Sequence, residues 1–98
     1  MTRTVKFNSG RVFSTPDALE AIHRNDEYAS TFLARHFTGD WGDVDADDQQ
    51  ANDQALIPDE HGEYDRLLSA YHLTDGTKIW VLTEADRSAT TILLPSEY

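Results

Sequence analysis

The chain has 98 residues, 39% of them hydrophobic, with two Trp, four Tyr and four Phe, and eighteen acidic residues against eight Lys and Arg give a formal charge of −10. That length holds one domain over residues 1–98 and excludes a multidomain enzyme, while zero cysteines exclude a disulfide framework, a thiolate nucleophile and a Cys-ligated metal. No apolar run approaches the ~18 residues of a membrane span and the opening MTRTVKFNSG lacks a secretory apolar stretch, so the expected location is the cytoplasm, with no membrane partner.

Thr4 to Phe7 and Arg11 to Phe13 alternate polar and apolar residues around Asn8-Ser9-Gly10, the pattern of a short hairpin or of a strand and a loop. Thr15-Pro16-Asp17 then starts a helix, with Thr15 as N-cap, Pro16 in the first position and Asp17 at the positive end of the dipole. A second helix is expected from about Glu27 to Phe37, with Tyr28, Phe32, Leu33 and His36 near one face. Two glycines around Trp41 turn the chain and plug that indole into the interior; a polar third helix over Asp45 to Leu56 should lie on the surface. Pro58 to Gly62 reads as a loop.

Three β-rich runs follow: Arg66 to Leu73, Lys78 to Glu84 and Ala89 to Leu94. A two-residue type I′ turn at Asp75-Gly76 pairs His72 with Ile79, Ala70 with Val81 and Leu68 with Thr83, and puts His72 on the first sheet face. A four-residue loop Ala85 to Ser88 sets Thr83 opposite Thr90 and Val81 opposite Ile92. The second face then carries Tyr71, Trp80 and Leu93, to be met by the N-terminal hairpin, by Trp41 or by another molecule. The fold class is α+β, with two or three N-terminal helices packed on an antiparallel sheet whose C-terminal part is a three-stranded meander.

The acids are segregated. Ten of the eighteen lie between Asp40 and Asp65, where no Lys or Arg occurs, so the remaining eight acids balance all eight bases. Such a segment repels nucleic acid and anionic lipid and attracts basic surfaces; the plainer reading is a solvated face that keeps the protein in solution.

Weaker signals name no reaction. Asp43-x-Asp45-x-Asp47 has the alternation of a calcium loop, but Asp48 and Gln54 stand where such a loop needs Gly and Glu, and the four histidines lack metal-ligand spacing, so neither metal nor cofactor is expected. Glu84, Asp86 and Arg87 have the composition of an acid/base site, yet turns collect these same residues, with Arg87 bridging to a carboxylate.

Gly39-Asp40-Trp41-Gly42, Arg66-Leu67-Leu68-Ser69-Ala70-Tyr71, Asp75-Gly76-Thr77-Lys78-Ile79-Trp80 and Thr83-Glu84-Ala85-Asp86-Arg87-Ser88-Ala89-Thr90-Thr91, on to Pro95-Ser96-Glu97-Tyr98, resemble a family of small acidic proteins of bacterial plasmids, phages and other mobile elements. Its members carry labels such as plasmid-related or type I restriction subunit M, the latter too large an assignment for a chain of this length. The resemblance covers about Leu33 to Tyr98, departs from the family in a longer Ile57 to Asp65 segment, and carries over no catalytic residues. Joined to the segregated charge, the mobile-element context leads to the expectation of a non-enzymatic protein that inhibits a basic, nucleic-acid-binding host defence protein of the restriction or CRISPR type. Asp40, Asp43, Asp45, Asp47, Asp48, Asp53, Asp59, Glu60 and Glu63 would stand in for DNA phosphates, without direct nucleic-acid binding by this chain. The alternative is an accessory protein that binds a partner, or itself as a homodimer, through Tyr71, Trp80 and Leu93.

Overall fold

The computed structural model describes residues 4–98, which form three helices and a four-stranded sheet. Chain order is β1 (Arg11–Ser14), α1 (Pro16–Arg24), α2 (Ala29–Phe37), α3 (Ala46–Ala55), β2 (Leu67–His72), β3 (Lys78–Thr83), β4 (Ala89–Leu93) and a closing 3-10 turn at Pro95–Glu97. Helices precede the meander, as the α+β reading expects. The sheet has order β1-β4-β3-β2 and is mixed, because β1 runs parallel to β4 while the other pairs are antiparallel.

Only Arg11–Ser14 of the first two expected runs is a strand, so there is no N-terminal hairpin. Lys6 N–H donates to Phe37 O at the end of α2, and Phe7 packs against His36 and Trp41. That apolar anchor draws residues 4–7 toward the helices and away from β1.

Thr15 caps α1 by accepting from Ala18 N–H at 3.2 Å, with Pro16 and Asp17 in the first turn. Its hydroxyl also donates to the Glu97 carboxylate at 2.7 Å, tying the C-terminal turn to the start of the helix. The corner to α2 takes Asp26 into positive φ and engages Glu27, which delays α2 until Ala29.

The β2–β3 register differs from the expected one by a single residue: Tyr71 faces Ile79, Ser69 faces Val81 and Leu67 faces Thr83. Of Asp75 and Gly76 only Gly76 has positive φ, whereas a type I′ turn needs it at both. Leu73 N–H bonds Thr77 O across a three-residue loop. Asn25 and Glu27 hold that loop by accepting from Asp75 N–H at 2.8 Å and Thr74 N–H at 3.0 Å. A one-residue slip exchanges the faces of a strand, so Leu67, Ser69 and Tyr71 turn toward the helices, while His72 is exposed on the opposite face. The β3–β4 register agrees with the four-residue loop, pairing Thr83 with Thr90 and Val81 with Ile92.

The main core joins Ala18, Ala21, Ile22 and Phe32 to Tyr71, Leu73, Ile79, Val81 and Ile92. Each fully buried Ile there contributes roughly 1.5–3 kcal/mol. A second cluster holds Trp41, Ala55 and Leu67 with Phe7, Val44 and Leu56 around it. Trp41 is thus an interior plug on the helix side, and the second sheet face is met instead by the C-terminal turn, where Tyr98 sits edge-on to Trp80 at 5.7 Å.

Candidate protein-binding surface

The acidic segment opens beside an edge strand that is closed. Gly42 forms a bridge with Ala70, with Ala70 N–H donating to Trp41 O and Asp43 N–H donating to Ala70 O. Two residues earlier the Asn52 side chain takes the place of a peptide group: its Oδ1 accepts from Leu68 N–H at 3.1 Å and its Nδ2 donates to Leu68 O at 2.8 Å. These contacts occupy the outward backbone groups of Leu68 and Ala70 and fix α3 along the β2 edge, which prevents pairing with a foreign strand there.

α3 is capped by Asp45, which accepts from Asp48 N–H at 2.8 Å, and carries Asp47 and Asp48 in its first turn. Its last turn has no basic residue of its own. Arg87, held at positive φ in the β3–β4 loop, supplies one from outside: its guanidinium donates to Ala55 O at 2.7 Å and to Asp65 O at 2.7 Å, with longer bonds to Glu84 O and Ala85 O. Arg87 therefore binds backbone carbonyls, not the carboxylate expected for it. The Ser88 side chain, and then its backbone N–H, hold the Asp86 carboxyl below the usual range, and among the described residues no hydrogen bond or ion pair joins the side chains of Glu84, Asp86 and Arg87.

Four of the nine expected phosphate surrogates do structural work. Asp40 pairs with Arg35 at 2.7 Å, and the Arg35 guanidinium, held above its ordinary pKa chiefly by that bond, lies 4.4 Å from the centre of the Tyr71 ring. Asp45 is the helix cap, Asp53 accepts from Trp41 Nε1–H at 2.9 Å, and Asp59 accepts from His61 and Glu63 N–H within its loop. The other five are exposed. Asp43 meets His72 Nδ1 at 3.1 Å and Glu60 meets His61 at 3.5 Å, whereas the carboxylates of Asp47, Asp48 and Glu63 have no partner among the described residues.

The alternative surface loses a member. Tyr71 is 1% exposed on the helix-covered face, its hydroxyl donates to Asp40 O at 2.6 Å, and burial pushes its pKa up to about 12. Trp80 is half-buried and Leu93 is its cross-strand neighbour on the second face. The structure brings Trp80 instead to the acidic segment: Asp43, Val44, Asp45 and Asp48 form one wall of a groove of about 450 Å³ floored by Leu68, Ala70 and Trp80, with Lys78 on its rim.

Among the described residues no group of three or more His, Asp or Glu is placed to hold a metal ion, and no helix is long and apolar enough to cross a membrane. Comparison with protein families, curated proteins and solved structures finds no match. Sequence reasoning missed the roles of Asn52 and Arg87, which rest on contacts 16 and 32 residues away.

Proposed function

We propose that the chain is a non-enzymatic binding protein whose acidic surface, built on α3 and its flanking loops, occupies the basic groove of a nucleic-acid-binding protein. The observation that carries this reading is the set of exposed carboxylates at Asp43, Asp47, Asp48, Glu60 and Glu63 within a Lys/Arg-free segment, beside an Arg87 that spends its donors on carbonyls. α3 is about 15 Å long. Duplex DNA presents roughly nine charges over that length, whereas α3 itself carries Asp47, Asp48 and Asp53, so the surface draws on the flanking carboxylates of Asp43, Glu60 and Glu63 as well. Binding of such a surface to a Lys/Arg groove gains from Coulomb attraction and from release of the groove's counterions, and both gains shrink with salt.

The resemblance to proteins of mobile elements makes a host restriction or CRISPR effector the expected target, and inhibition the expected consequence. The test is displacement of labelled duplex from purified effectors of these classes, followed by fluorescence anisotropy. The native chain should displace DNA at low salt and lose that ability as salt rises, and Asp47→Lys with Asp48→Lys should weaken it at least tenfold. Undiminished displacement by the charge-reversed protein overturns the reading.

A further inference from the structure

The groove between α3 and the second sheet face joins two surfaces that the sequence kept apart, and resting on the acidic-surface reading we propose that it takes an arginine side chain of the protein partner, stacked on the Trp80 indole. Its floor of Leu68, Ala70 and Trp80 is apolar, and its wall bears Asp43, Asp45 and Asp48. Asp48 has an unpartnered carboxylate, Asp45 uses Oδ1 for the cap, and Asp43 uses Oδ2 toward His72, so oxygens on all three remain to accept. Three carboxylates against the single Lys78 ammonium leave the groove negative and direct a cation to the α3 side.

The shape selects among cations. A guanidinium is planar, weakly hydrated and forked, so it stacks on an indole while its edge donates to carboxylates; an ammonium is a hydrated point charge that gains less from the apolar floor. A phosphate is repelled by the same wall. An extended peptide cannot add to the sheet here, because Asn52 and the Gly42 bridge already occupy the outward groups of Leu68 and Ala70. Recognition is left to side chains entering the groove from outside.

The test uses the whole chain with a hexa-arginine or a hexa-lysine peptide at low salt, read by calorimetry and by amide and indole NMR. The arginine peptide should bind about threefold to tenfold more tightly and move the Trp80 indole N–H together with the amides of Leu68, Ala70 and Lys78. Trp80→Leu should remove that preference. The indole shift in the native chain reports independently of the variant's folding. Equal affinities with a stationary Trp80 signal, while amides near Asp47 and Glu63 move, overturn the groove and leave the acidic-surface reading standing. Failure of both peptides to bind overturns both.

Discussion

His36 Nδ1 lies 2.6 Å from the Ser69 hydroxyl oxygen in the interior, and that contact begins a chain of hydrogen bonds with only one possible order of protons. Its far end is Ser9 O, a carbonyl that can only accept, so the Thr90 hydroxyl donates to it at 2.8 Å. Thr83 must then donate to Thr90 at 2.7 Å and accept from His36 Nε2–H at 2.9 Å, and because burial lowers the imidazole pKa to about 3 and keeps it neutral, Nδ1 accepts from Ser69. The neutral imidazole therefore carries its proton at Nε2. Its ¹⁵N shifts at neutral pH should show this tautomer, and a protonated Nδ1 contradicts the order.

Burial, followed by the nearby Arg87 charge, lowers the His36 pKa from 6.5 to about 3. The unfolded chain takes up this proton near pH 6.5 while the folded chain resists it, so the contribution is complete above 6.5 and falls with pH toward 3, by roughly 1.4 kcal/mol per unit. Urea denaturation of the native chain and of His36→Asn at pH 6.5 and 4.5 separates this from carboxylate effects common to both. The native chain should lose about 2–3 kcal/mol more than the variant. Equal losses contradict the assignment.

Asn52 is 5% exposed and serves as a strand partner for Leu68. Asn52→Asp keeps the acceptor but sets a carboxylate against Leu68 O, at a cost of about 2–3 kcal/mol. Denaturant melts should show this, and the Leu68 amide should exchange faster with solvent. A variant as stable as the native chain contradicts the role.

Gly42 and Gly76 both have positive φ, but their surroundings differ. A Cβ at Gly42 would lie 2.1 Å from Ala70 O, whereas one at Gly76 meets nothing within 4 Å. Gly76→Ala should cost about 1 kcal/mol in backbone strain, and Gly42→Ala at least twice that, since it must also break the bridge that closes the β2 edge. Thermal melts that reverse this ranking contradict the edge closure.

Much of this architecture was legible locally. Thr15-Pro16-Asp17 and Asp45 announced their helices through capping chemistry, and the loop from Ala85 to Ser88 placed Thr83 opposite Thr90. What failed depends on contacts distant in sequence. Asp75-Gly76 suits a two-residue turn and a three-residue loop alike, and only the corner at Asn25 and Glu27 decides for the longer one. The slip moved Tyr71 out of the alternative site and His72 into the open. The acidic segment was visible as charge, but the separation of structural Asp40, Asp45, Asp53 and Asp59 from Asp47, Asp48 and Glu63 needed Arg35, Trp41 and the loop backbone in place. The parallel pairing of β1 with β4 joins Arg11 to Ala89, a separation that no local pattern encodes.

On the proposed reading the exposed carboxylates, more than the fold that carries them, bind the partner. The most direct measurement is affinity capture from a bacterial extract at low and moderate salt, comparing the native chain with a variant carrying Asp47→Asn, Asp48→Asn, Glu60→Gln and Glu63→Gln. None of these side chains caps a helix or ties the core, so the variant should keep the native far-ultraviolet spectrum. The expected result is a basic nucleic-acid-binding protein held by the native chain at low salt, weakened at moderate salt and lost with the variant. The same partner held equally by both proteins at both salts would contradict it.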